Sequence, residues 1–529
     1  MSEPTVHEYR ALLTQALGAP TDADTAEPDF RTLFTPSSHR VALDPDVTVV
    51  RGFRGTGKTC WAKALTDPEL RRVAADAYMM PRLKRTEVRT GFGTDRSNDP
   101  AFPDTRTIRG LVAAGVQPDE LWSAVILNVL GTPAVRQLPN WTERVRWTRE
   151  NFEAYGDALH RADRETREKK ETLVLLFDGL EHLHTDRRQA DLLLSGLFQL
   201  ALELRLTTGT LRAKIFVRPD MYDSAPKAFA DASKLGANAT NLNWSRENLY
   251  GLLFHELGNY DGPEAKKFRE ATGEWRAEGD GRYLPPVALL ADQKRQEEVF
   301  ISLAGPFMGK DRHKGHTYTW IPNHLQDGKA QVSPRTWLSS LGKAARLTGE
   351  RWAGHPVPLH YEAISESLST ASAVRVAELK DDLGWAALAV EQLEGNQVPM
   401  EATTVHYAWH VGSLASKVRA LLESEKRGQR PAQYRRSRGT PQGARRPRRR
   451  DQAGHGHRRP ARHLPPRLRH QPPGRCAPDA RVTAGGNRPG DSDRARQAPP
   501  PPLPGRAHVQ RPSGGSGRVS GWPARYPGR

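Results

Sequence analysis

From about residue 41 to residue 242, short apolar runs alternate with longer stretches whose apolar side chains recur every three or four positions. The short runs, 47–50, 87–90, 173–177, 214–217 and 239–242, are expected as β-strands. The longer stretches, notably 119–130, 141–168 and 188–205, are expected as helices. Strands separated by helices predict an α/β fold with a mainly parallel sheet flanked by helices. The run Leu-Val-Leu-Leu-Phe at 173–177 is apolar throughout, as a strand buried on both faces should be.

The pattern changes on either side of this region. Residues 1–40 hold one short helical pattern (Tyr9, Leu12, Leu13, Leu17) and then a polar stretch, and are expected as an N-terminal arm. Residues 41–260 form the expected core. Residues 261–345 are expected as an irregular insert ending in a lid helix. In 333–350, Ser333 is a good N-cap, Pro334 suits the first helical position, and Trp337, Leu338 and Leu341 share a face. Residues 346–426 are expected as a helical module, with two or three amphipathic helices in 359–394 ending at Gly395. Within the insert, the alternation at 314–321 reads as a strand with Tyr318 and Trp320 on one face. No internal repeat is visible.

Composition separates the last hundred residues from the rest. The net charge of +18 over 529 residues is carried by the tail. Residues 427–529 hold 25 arginines, no lysine, four aspartates and no glutamate, a net of +21. The preceding 426 residues carry 54 basic and 57 acidic side chains, a net of −3. The tail also lacks Ile, Phe and Met, so it cannot bury enough apolar surface to offset the entropy of ordering and is expected to be disordered. Two readings of it stay open. One is a natural basic arm. The other is out-of-frame translation of a GC-rich gene, because Arg, Pro, Gly and Ala have GC-rich codons. No apolar run is long enough to span a membrane, and the start MSEPTVHEYRALL lacks a basic region followed by an apolar stretch, so no secretory leader is expected there. The two cysteines, Cys60 and Cys476, stand far apart and suggest neither a disulfide framework nor a zinc site. A cytoplasmic protein without membrane contact is expected.

The chemistry concentrates in two places. Residues 51–61 read RGFRGTGKTCW and fit G-x-x-x-x-G-K-[ST], with Gly52, Gly55, Gly57, Lys58 and Thr59 in the informative positions and Phe53, Arg54, Thr56 and Cys60 completing the loop. Glycines let backbone N–H groups turn inward around phosphates, and the helix that follows adds its positive end. Lys58 would reach the β- and γ-phosphates of ATP, and the Thr59 hydroxyl would hold Mg²⁺. The second place is ETLVLLFDGLE at 171–181, an apolar strand ending in Asp178 with Glu181 three residues on. A carboxylate at the mouth of the strand beside the cradle suits Mg²⁺, and a second nearby suits orienting and deprotonating the attacking water. Arg218, just past the run at 214–217, is placed to sense the γ-phosphate. Arg335, one residue inside the lid helix, is expected to approach the nucleotide from the lid. An ordinary salt-bridged arginine is the competing reading for each.

These stretches, with KIFVRPDMY and SPRTWL, resemble the STAND and AAA+ neighbourhood of the P-loop ATPases, most closely a group of bacterial ATP-binding proteins without an assigned role. The resemblance covers about residues 30–425. It implies an ATP-driven switch with a P-loop NTPase core, a helical lid and an effector or recognition module. Two departures bear on turnover and ring formation: Gly179 stands where many such ATPases carry a glutamate, and no arginine finger is evident. No Asn-Lys-x-Asp element is present, which favours ATP over GTP.

Weaker signals remain. His313, His316 and His324 flank the 314–321 run, and packing suits them better than metal binding. The helices of 359–394 suit a lid or a protein-docking module, or alternatively a winged helix that reads DNA, although Glu378, Asp381 and Asp382 oppose a phosphate-facing surface. Three functional readings compete: an ATP-hydrolysing switch, a nucleic-acid-binding regulatory or defence protein controlled by nucleotide, and a scaffold that binds nucleotide without turnover. The helical module is the candidate surface for a protein partner and the tail for non-specific nucleic acid; an oligomer is compatible with each reading.

Overall fold

The computed structural model of the chain describes residues 4–18, 27–93, 101–382 and 384–428. Five strands appear where the apolar runs place them: β1 (Val49–Arg51), β2 (Thr86–Phe92), β3 (Thr172–Phe177), β4 (Leu211–Val217) and β5 (Ala239–Asn241). They form one sheet in the order β2-β3-β4-β1-β5, and every neighbouring pair is parallel. The register places Val50 beside Phe216 on one side and Thr240 on the other.

Alternation along the strands divides two cores between the faces. Val49, Leu175, Phe177, Ile215 and Val217 pack on one face against Pro118–Val129 and Arg187–Thr207, including Trp122 and Phe198. Val50, Leu176 and Phe216 pack on the other against Trp61, Ala62 and Leu65 of the Lys58–Thr66 helix. Fully burying side chains of this size contributes about 1.5–3 kcal/mol each. Lys214 sits inside β4 although it is charged. Its ammonium donates to three carbonyls of the segment leading into β1: Ala42 at 2.8 Å, Asp44 at 3.0 Å and Val47 at 2.8 Å. The expected helix at 141–168 is two, Trp141–Glu150 and Phe152–Glu168, broken at Asn151.

A third core is all helical. It joins Arg246–Asn259, Gln293–Ala304, Thr317–Leu325, Pro334–Arg351 and the start of Tyr361–Asp382, with Tyr250, Phe254, Phe300, Tyr318, Trp337 and Ile364 at its centre. The N-terminal segment belongs here and is not a free arm. Val6–Ala16 is a helix whose Tyr9, Leu12 and Leu13, followed by Leu17, are buried against this cluster. A short hairpin, β6 (Arg276–Gly279) and β7 (Arg282–Leu284), projects from the same half.

Two further expectations are corrected. Residues 317–325 are helix, not strand, because Thr317 and Tyr318 turn into the core, where the Tyr318 hydroxyl donates to Gln296 at 2.8 Å. The alternation of Tyr318 and Trp320 therefore does not mark a sheet face. Of the nearby histidines, His324 stacks on Trp320 and His316 lies 3.8 Å from Glu297; no cluster able to hold a metal exists among the described residues. Between 346 and 428 the described residues are helices and connections, with no strand to form a wing. Residues 429–529, the bulk of the basic tail, lie outside the described residues. No helix among the described residues is long and apolar enough to cross a membrane.

Candidate functional site

The quoted loop leaves the C-terminal end of β1 and is tied at once to the neighbouring strand, with Gly52 N–H donating to Val217 O at 3.0 Å. It turns back on itself at Phe53. The Phe53 carbonyl accepts from Thr56 N–H at 3.3 Å, Thr56 Oγ1 at 2.8 Å and Lys58 Nζ at 3.2 Å. Two glycines are required sterically. A Cβ on Gly52 would stand 2.5 Å from Thr56 Oγ1 and 3.0 Å from Lys58 Cγ. Gly57 has φ +99°, a left-handed conformation that other residues adopt only with strain, and it opens the Lys58–Thr66 helix. The loop therefore delivers Lys58, Thr59 and the free amides of a nine-residue helix to one point.

Asp178 arrives from β3. The strand order corrects one expectation, because β3 is not beside β1: β4 lies between them. Asp178 still comes close enough to the loop across that strand for the Thr59 side chain to act on its carboxyl, opposing the effect of burial. Its backbone N–H is held by Phe92 O at 2.9 Å. The side chain is 3% exposed. Burial pushes its carboxyl up to about 6, with the Lys58 ammonium opposing and Glu181 adding to the rise. Oδ1 is buried and has no hydrogen-bond partner. Lys58 is buried as well. Desolvation pulls its ammonium below the usual lysine range, while Glu181 and Asp178 hold it up and Arg218 and Arg54 oppose them.

Glu181 lies in a single 3₁₀ turn, Leu180–His182, entered through Gly179 at φ +66°. It is exposed, yet close enough to act on both Lys58 and Asp178. Arg218 directly follows β4 and pairs with Asp220 at 3.0 Å, and Asp220 also takes Arg187 at 3.1 Å. Arg335 stands at the start of the Pro334–Arg351 helix, and its Cβ lies 3.4 Å from the position a Cβ on Gly55 would take. The structure thus gathers the loop, Asp178 and Glu181 into one site, with Arg218 tied into an ion-pair network on one side and Arg335 flanking the loop on the other. Cys60 is a free, partly buried thiol, raised to about 11 by burial and then by Glu256.

The donor set fits a hard divalent cation. Asp178 offers an unpartnered buried carboxylate oxygen, and Thr59, on the first turn of the Lys58–Thr66 helix, brings a hydroxyl near the same group. The position of the buried lysine beside them suits a bound polyphosphate, whose charge would replace the carboxylates as its counter-ion.

Three neighbours of the loop carry no signal in the chain itself. The Trp244 indole donates to Thr56 O at 3.0 Å, Ser333 Oγ to Gly55 O at 3.4 Å, and Lys329 Nζ lies 5.6 Å from the centre of the Phe53 ring. Ser333 is legible as an N-cap, and it does accept from Thr336 N–H at 3.4 Å, but its second partner lies 278 residues away.

No protein-family model matches this chain, and no curated protein matches it. Among solved structures it is similar to the ORC2 protein of Aeropyrum pernix, determined in ADPNP–ADP complexes. The identity is 15%, the TM-score is 0.29, and the match covers 78% of this chain and 81% of that one. The fold rests on the sheet itself: a parallel five-stranded α/β layout flanked by helices, with a glycine-rich loop after β1 and a buried aspartate just past β3.

Proposed function

We propose that this chain is an ATP-binding, Mg²⁺-dependent ATPase that works as a switch. The observation that carries the reading is the buried pair Lys58 and Asp178 beside the half-buried Thr59, in which one carboxylate oxygen of Asp178 has no partner inside the protein. Leaving such an oxygen unsatisfied costs about 1–3 kcal/mol, more for a charged group, and a bound cation relieves that cost. Thr59 and Asp178 would hold the metal, which would supply charge neutralisation to the bound phosphates. Gly52, Phe53, Arg54, Gly55, Thr56 and Gly57 wrap the phosphate chain, with Cys60 behind them on the helix. Lys58 leaves Phe53 O and pairs with the β- and γ-phosphate oxygens.

Glu181 is assigned the water. It is the exposed carboxylate of the site and therefore open to solvent. Arg218 and Arg335 are assigned to the γ-phosphate from opposite sides, which requires Arg218 to share or leave Asp220. Because the helix carrying Arg335 begins against Gly55, occupation of the loop has a direct mechanical route to the helical half. Release of inorganic phosphate from ATP by the full chain, with Mg²⁺ and with EDTA, tests the reading. Steady turnover in Mg²⁺ alone supports it; binding without turnover reduces the chain to a nucleotide-gated scaffold.

A further inference from the structure

The phosphate loop is held from outside by the helical half, and the hold has a direction. The Trp244 Nε1–H donates to Thr56 O at 3.0 Å and the contact is buried. In a trans peptide the C=O and N–H of one unit point opposite ways. With Thr56 O fixed toward Trp244, the Gly57 N–H is aimed away from it. Ser333 acts alike on the preceding unit: its Oγ lies 3.4 Å from Gly55 O, and the Thr56 N–H turns inward to Phe53 O at 3.3 Å.

Trp244 is well placed to impose this. It follows β5 after two residues, and Leu242 N–H is bonded to Arg51 O at 2.8 Å, so its backbone leaves a fixed sheet edge. Its own N–H donates to Gln331 Oε1 at 3.3 Å, two residues before Ser333. Its ring stacks on Phe34, centroids 6.2 Å apart, and meets the edge of His39 at 5.0 Å. The side chain is 8% exposed and has little freedom to turn.

We infer that Trp244 is a positioning residue for phosphate recognition: its indole N–H sets the 56–57 peptide so that the Gly57 amide faces the bound phosphates. This rests on the nucleotide reading above. It goes further by making a residue of the helical half part of what fixes phosphate affinity, with no contact of its own to the ligand.

The test uses the full chain and two replacements that keep the ring, Trp244→Phe and benzothienylalanine at position 244, which has the shape of tryptophan with sulfur in place of N–H. The probes are Mg²⁺ with inorganic tripolyphosphate, and MgATP, both by calorimetry, alongside the melting midpoint of the free protein. Loss of the one hydrogen bond is expected to weaken both probes by about five- to fiftyfold. The isosteric analogue should show this loss with its melting midpoint close to that of wild type. A merely structural indole predicts the reverse, a lower midpoint with unchanged tripolyphosphate affinity, and that result overturns the inference. Lys58→Ala is measured beside them. If wild type binds and Lys58→Ala does not, while both Trp244 replacements bind like wild type, only the role of Trp244 falls. If wild type itself binds neither probe, the nucleotide reading falls and takes this one with it.

Discussion

Asp178 is the residue on which metal, proton and stability meet. Its carboxyl is pushed up to about 6 in the folded chain, above its value in an unfolded one. The folded state therefore binds more protons than the unfolded state between about pH 4 and 6, and the stability of the metal-free protein falls as pH rises through that window. Above it the full cost of the buried charge is present. Asp178→Asn should thus stabilise the metal-free protein at pH 7.5 by about 2–3 kcal/mol and hardly at all at pH 4, read as denaturant midpoints. The same variant should lose most of the gain in ATP affinity that Mg²⁺ gives. A variant less stable than wild type at pH 7.5 would contradict the account of the buried charge. On the proposed reading Glu181 acts at a different step. Glu181→Gln keeps the shape and removes the base, so ATP should still bind while turnover falls by about 10² or more. Normal turnover in that variant would move the base to another carboxylate.

At the scale of elements, the phosphate loop works only if its backbone folds back on Phe53. Gly52→Ala would put a methyl 2.5 Å from Thr56 Oγ1 and break the 2.8 Å bond that hydroxyl makes to Phe53 O. The sheet and cores should survive, with a loss of about 1–3 kcal/mol, because the strain is confined to the loop. ATP affinity should fall more than tenfold; wild-type affinity in this variant would mean that the turn at Phe53 is dispensable. The five strands and the loop were legible because each depends on local pattern: short apolar runs for strands, and residue types at fixed spacing for the loop. What was not legible depends on neighbours distant in the chain. Asp178 stands one strand further from the loop than the motif suggests, because sheet order is set by packing and not by the order of runs. The run at 314–321 alternates like a strand, yet packing such as Tyr318 stacked on Tyr250 at 4.1 Å goes with a half-buried helix over 317–325. The N-terminal helix looked like an arm because its partners lie hundreds of residues away: Arg10 donates to the carbonyls of Ala353 and Pro358.

Over the whole molecule, charge and chemistry are separated. The site belongs to a body of residues 1–426 with a net charge of −3, whereas residues 427–529 carry +21. If the tail is a genuine arm, nucleic acid should bind through it without sequence preference. Affinity for random duplex should then fall by about 10³ or more between 50 and 200 mM salt when six or more phosphates are engaged. A chain ending at residue 428, which keeps the last described helix complete, should lose that binding and keep its ATPase. Equal binding by the shortened chain would transfer the contact to the body. The two halves of the described body meet at the loop, where Ser333 and Trp244 touch Gly55 and Thr56, so ligand at Lys58 has the helical half as its nearest mechanical neighbour. All of this depends on the loop being a phosphate cradle, and calorimetric titration of MgATP into the full chain and into Lys58→Ala tests that most directly. The lysine makes a charge-assisted contact worth about 1.5–3 kcal/mol, so the variant should bind about ten- to a hundredfold more weakly than wild type. Equal affinity in the two proteins would contradict the account.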